Sequence, residues 1–108
     1  MSERRAHPRV RGPFEGWWDG MVRQEGRIVD LSIGGCYIES LQHPAAGEHV
    51  IVSIALEAGQ IQIPAEAMYG ESTRGFAVRF LDLPAALMDV LRAEVDRRMR
   101  GSAREGSA

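Results

Sequence analysis

The sequence predicts an all-β domain, a barrel or a sandwich, with a single helix at its C-terminal end. Three observations carry this. Short runs of alternating apolar and polar residues recur between positions 27 and 81, with turn residues between them. The runs stand too close together to leave room for intervening helices. After Asp82 the apolar period changes from that of a strand to that of a helix.

The first apolar residues are Phe14, Trp17, Trp18, Met21 and Val22, interrupted by Gly16, Asp19-Gly20 and Glu25-Gly26. The last two pairs read as turns, so short strands are expected over 14–31. Neighbouring residues on a strand point to opposite faces, so Trp17 and Trp18 divide between core and surface. Arg27-Ile28-Val29-Asp30-Leu31 and Cys36-Tyr37-Ile38-Glu39-Ser40 are the next two strands, and Pro44-Ala45-Ala46-Gly47 is a loop. His49–Leu56 places Val50, Val52, Ile54 and Leu56 on one face. Ala58-Gly59 turns the chain into 61–69, where Pro64 predicts an edge strand or a bulge. Gly70-Glu71-Ser72-Thr73 is a turn before 75–81, with Phe76, Val78 and Phe80 on one face and Arg79 on the other.

Asp82-Leu83-Pro84 opens the helix, with Pro84 suited to its first turn. Leu87, Leu91 and Val95, joined by Met88 and Met99, form its apolar stripe, which is read as core contact. Arg97, Arg98 and Arg100 complement the dipole of the last turn, and Gly101 is expected to cap it. The domain organisation predicted is an arginine-rich arm over 1–12, a β-domain with its helix over 13–100, and a disordered tail over 101–108.

Composition bounds the function. A chain of 108 residues with 44% hydrophobic and 26% charged residues is an ordinary globular domain with a core of its own. No apolar run approaches the roughly 20 residues that cross a bilayer, and the first residues lack the apolar centre of a signal peptide. A soluble, cytoplasmic protein is the expectation. One cysteine, Cys36, excludes an internal disulfide and reads as a buried packing residue rather than a nucleophile. The net charge of −2 weighs against general nucleic-acid binding. All 13 basic residues are arginine, and Arg4, Arg5, Arg9 and Arg11 crowd into the first 11 positions.

Two stretches combine chemistry. Arg4-Arg5-Ala6-His7-Pro8-Arg9 carries three guanidinium groups on a segment that Pro8 bars from being a helix interior. Asp30-Leu31-Ser32-Ile33-Gly34-Gly35 places a carboxylate, a hydroxyl and two glycines at a strand end. Guanine offers O6 and N7 to an arginine fork, and N1–H and N2–H₂ to a carboxylate such as Asp30. Phosphates take charge-assisted donors from the other arginines. Ser32 can bond a phosphate or hold the turn, and Gly34 and Gly35 permit close backbone approach. No catalytic set is visible: His7, His43 and His49 lack metal-ligand spacing, and Ser32 has no base near it in sequence.

Arg5 to Arg9 followed by Asp30-x-Ser32-x-x-Gly35 resembles the PilZ domain, a family recognised by Arg-x-x-x-Arg and, some 20 residues later, [Asp/Asn]-x-Ser-x-x-Gly. Gly75-Phe76-Ala77-Val78-Arg79-Phe80 looks like that family's final strand, with Ala77 in place of a second glycine. The resemblance covers nearly the whole chain. It implies a six-stranded antiparallel β-barrel with a C-terminal helix, a receptor rather than an enzyme, and no cofactor. The ligand it implies is cyclic di-GMP, held by Arg5, Arg9, Asp30, Ser32 and Gly35, with Gly34 beside them. Arg4 is an added contact, which in the family goes with two stacked ligand molecules. An arm that closes on the ligand would then signal to a downstream protein partner. The competing readings are a PilZ-like adaptor that works by protein contact without ligand, and a nucleic-acid binder using the basic arm. The second is disfavoured by the acidity of the rest of the chain.

Overall fold

The computed structural model describes residues 8–68 and 74–107, with side chains through Gly101. Six strands follow in chain order: β1 (Val10–Asp19), β2 (Arg23–Leu31), β3 (Gly35–Glu39), β4 (His49–Leu56), β5 (Gly59–Ala67) and β6 (Gly75–Phe80). Helix α1 (Ala85–Ser107) ends the chain. Each strand pairs antiparallel with its neighbours in the closed order β1-β2-β3-β6-β5-β4. The all-β architecture expected from the alternation is therefore a six-stranded barrel rather than a sandwich.

The barrel closes because one face of every strand is apolar. Phe14, Trp18, Ile28, Leu31, Ile38, Val52, Ile54, Ile63, Phe76 and Val78 converge inside it. Trp17 and Trp18 diverge as the pleat requires. Trp18 is buried edge-on to Phe76 with 5.2 Å between ring centroids, whereas Trp17 lies under the Arg23 guanidinium at 4.9 Å. α1 covers one end of the core with Leu91 and Val95, and Leu87 and Val90 pack beside them. Met99, expected in the same stripe, is exposed.

Four local expectations are corrected. β1 begins at Val10, so residues 10–12 belong to the barrel and not to the arm; Val10 is buried and pairs with Leu31. Gly12-Pro13 lies within the strand, where the pairing with β2 slips by one residue, so the missing proline N–H falls in a bulge. Glu25-Gly26 is strand, not turn. Gly26 faces Gly16 across the ladder, and a Cβ on it would meet Ile38 Cγ2 at 2.6 Å, so the glycine serves close packing.

Pro64 lies in neither an edge strand nor a bulge, because the barrel is closed and its register with Ile51 is regular. Its carbonyl accepts from the Leu81 amide at 2.9 Å, and the β5–β6 ladder ends at this point, where proline has no N–H to return. Finally, α1 does not stop at Gly101 but continues to Ser107. Gly101 is not among the positive-φ glycines, so it forms no left-handed cap, and Ala103, Arg104 and Glu105 are good helix formers.

The turns sort to two ends. The β1–β2 turn and the β3–β4 loop lie at one end, where Met21 and Leu41 are almost wholly exposed. The arm residues Pro8 and Arg9, the β2–β3 turn and the start of β1 gather at the other.

Candidate ligand site at the arm and the β2–β3 turn

A bulge in β2 aims the central carboxylate. Ile28 pairs with Ile38 but Asp30 pairs with Tyr37, so β2 spends two residues where β3 spends one. Regular alternation would turn Asp30 inward with Ile28. The extra residue turns it outward, while Leu31 returns to the core. On the outer face the register then runs Arg11, Asp30, Tyr37, Ala77 across four adjacent strands.

Arg9 comes to this carboxylate across 21 positions of sequence. Its Nη1 donates to Asp30 Oδ1 at 2.8 Å, with both side chains about one-third exposed. An ion pair with this much solvent access is worth roughly 0.2–1 kcal/mol. Arg9 is thus held to the motif by a weak and replaceable contact.

Ser32 takes the turn-holding role. It is buried, the Gly34 amide donates to its Oγ at 3.1 Å, and its hydroxyl donates to the Gly35 carbonyl at 3.3 Å. The Ser32 amide donates to the same carbonyl at 2.9 Å. The hydroxyl donor and one acceptor position are therefore committed within the turn. Gly34 is fixed from the other side by the Phe80 amide, which donates to its carbonyl at 2.9 Å. Gly35 has a packing reason of its own, since a Cβ on it would fall inside the contact radius of the Val78 carbonyl oxygen. Arg4 and Arg5 lie outside the described residues.

Cys36 follows immediately and is buried. Burial pushes its thiol pKa up, the Asp30 carboxylate adds to this, and Arg9 opposes it. A neutral, enclosed thiol fits the packing role expected of it.

Beyond Arg9, the site opens into a cleft of about 580 Å³ between the start of β1 and the 97–101 stretch of α1, whose charged lining among the described residues is Arg9, Arg11, Arg97 and Arg98. In sequence Arg97 and Arg98 stand out only as complements to the helix dipole. Helical periodicity shows which residues share a face but not what that face meets. On α1 the two hold Glu94, a carboxylate only 4% exposed: Arg97 Nη2 donates to its Oε2 at 2.5 Å and Arg98 Nε at 3.0 Å. Arg97 also pairs with Glu57 at 3.1 Å.

Burial alone would raise the Glu94 pKa, but the hydrogen bonds from Arg98 and Arg97 outweigh it and hold the carboxyl below its ordinary 4.5. A depressed folded pKa stabilises the fold above the unfolded value, and that contribution is lost as pH falls through the folded one. Glu94→Gln is therefore expected to lose less melting temperature than wild type when the pH drops below about 4.5. Thermal melts of both proteins across that range check it, and parallel acid profiles would sink it.

Among the described residues, no cluster of histidine, cysteine and carboxylate side chains suits a metal ion, and no helix is long and apolar enough to cross a membrane. Compared with known proteins, the chain matches the family model of the PilZ domain over residues 3–97. The chain belongs to the PilZ family. No curated protein matches it. Among solved structures, the PilZ domain with c-di-GMP of YcgR from Escherichia coli superposes with a TM-score of 0.76 at 14% identity, covering 96% of this chain and 98% of that one. YcgR in complex with c-di-GMP from the same organism gives 0.79 at 18%, covering 96% of this chain and 50% of that chain. The Bacillus subtilis inhibitor of motility MotI/DgrA gives 0.75 at 16%, covering 91% of this chain and 52% of that chain. This PilZ chain thus spans about half the length of the last two, and at these identities the likeness establishes the barrel and its helix. PilZ domains are receptor or adaptor domains rather than enzymes.

Proposed function

We propose that this PilZ domain is a receptor for cyclic di-GMP whose N-terminal arm closes over the ligand and presents the altered surface to a protein partner. The observation that carries the reading is the Arg9–Asp30 pair, which joins the two halves of the family motif on the outer face of the barrel. Each member matches one part of the ligand: the carboxylate suits the N1–H and N2–H₂ edge of guanine, and the guanidinium suits a phosphate or the O6/N7 edge. Magnitudes favour the exchange. A charge-assisted hydrogen bond to a ligand contributes about 1.5–3 kcal/mol, more than the exposed ion pair it replaces.

The other proposed contacts play graded roles. Arg5 and Arg4 act from the arm, and Arg4 supports a second stacked ligand molecule. Ser32, Gly34 and Gly35 act through the turn they build, so their contribution is to hold Asp30 and the β2–β3 backbone in place. Ordering the arm costs about 1–2 kcal/mol per residue fixed, which several arginine contacts must offset together.

Isothermal titration of the purified chain with cyclic di-GMP tests this. Saturable binding is expected, weakened at least tenfold in both Arg9→Ala and Asp30→Ala, whose thermal melts stay close to wild type. A second reading, an adaptor that needs no ligand, is favoured by the nearly complete exposure of Met21 and Leu41 at the far end of the barrel. Absence of binding by wild type in calorimetry and in equilibrium dialysis would select it.

A further inference from the structure

We propose that Arg11, Arg97 and Arg98 form a phosphate-binding subsite that extends the ligand site from the barrel onto α1. It rests on the cyclic di-GMP reading and adds ligand contacts from the C-terminal helix, outside the Arg-x-x-x-Arg and Asp-x-Ser-x-x-Gly motifs. The subsite takes a phosphodiester of the cyclic dinucleotide whose guanine edge lies on Asp30.

Continuity with the motif is the first ground. Arg9 pairs with Asp30 and also lines the arginine cleft, so a ligand seated at the pair has the cleft beside it. Charge is the second. Among the described residues, those lining the cleft that carry charge are all arginines, and Arg11 has no carboxylate partner. Arg97 and Arg98 share the buried carboxylate of Glu94 and Arg97 also meets Glu57, so these two are balanced and the positive excess at the cleft is that of Arg11. An anion relieves that excess.

Preorganisation is the third ground. Arg98 is held at two places: its Nε by Glu94, and its planar group over the Phe14 ring at 4.2 Å. A guanidinium carries five N–H donors, and here Nε is the one given to Glu94. The terminal fork faces a ligand with little rotamer freedom still to lose. Phe14 belongs to β1, the strand that also carries Arg11, so α1 and the barrel are braced against each other at the rim of the cleft.

The test is isothermal titration with cyclic di-GMP, at low and at high salt, on wild type, Arg9→Ala, Arg11→Ala and Arg98→Gln. Arg98→Gln keeps an amide donor for Glu94, and melts without ligand verify that each variant folds. Arg11→Ala and Arg98→Gln are each expected to weaken binding about tenfold and to reduce its salt dependence. Should Arg98→Gln fail to fold, Arg11→Ala decides. Binding within twofold of wild type in folded Arg11→Ala or Arg98→Gln, with Arg9→Ala defective, overturns the subsite and leaves the ligand reading standing. No binding by wild type overturns both.

Discussion

Gly35→Ala is expected to lower the melting temperature by roughly 12–24 °C, from a loss of about 3 kcal/mol in a domain of this size. The new Cβ would be driven into the Val78 carbonyl oxygen, where β3 and β6 approach. A side chain in that position could swing aside, but a carbonyl held in a ladder cannot, so the strands must separate. Gly47→Ala is the control. Gly47 has a φ of +89° and nothing within 4 Å of an added Cβ, so its cost is conformational strain alone, about 1 kcal/mol. Differential scanning calorimetry of the two variants reads the difference directly. Equal melting temperatures would show that strand packing is not what requires a glycine at position 35. The comparison also matters for interpreting ligand binding, since a binding defect in Gly35→Ala would come through the fold, whereas one in Asp30→Ala would come from the lost carboxylate.

Leu91→Ala is expected to cost about 2–5 kcal/mol, the range for deleting a wholly buried leucine. Leu91 has no exposed surface and fixes α1 to the barrel together with Val95. The loss should exceed that of Met99→Ala several-fold, because Met99 is 43% exposed and little is vacated when it is shortened. Urea denaturation measures both. A small loss at Leu91 with an unchanged m-value would mean that α1 contributes little to the stability of the barrel. A large loss with a reduced m-value would mean that the helix detaches before the barrel unfolds.

Much of the fold was legible because each barrel strand buries one face. His49–Leu56 and 75–80 bury the apolar residues the pattern named, with Ser53 and Gly75 buried in addition. Three of the misreadings share one cause. Glu25-Gly26, Pro64 and Gly101 carry residues that usually interrupt an element, and in each case tertiary context supplies what the local rule omits: Ile38 packed against Gly26, a ladder that ends at Pro64, and helix formers beyond Gly101. For the site, sequence order brought Arg9 and Asp30 forward, and the structure joins them. The bulge that turns Asp30 outward has no sequence mark of its own, because Arg27–Leu31 reads as an uninterrupted strand. Arg97 and Arg98 were invisible as site residues for a different reason, since they reach the arm only through the docking of α1.

The continuation of α1 past Gly101 gives the helix a mechanical character. At 1.5 Å per residue its 23 residues span about 34 Å, and the buried Leu91 and Val95 lie in its first half. Beyond Val95 roughly 18 Å of helix remains, so the anchor is a fulcrum and the rest a pointer. A tilt of about 10° at the fulcrum would move the backbone at Ser107 by about 3 Å. Arg97 and Arg98 stand within a turn of that fulcrum, where a slight push is translated into the largest travel at the tip.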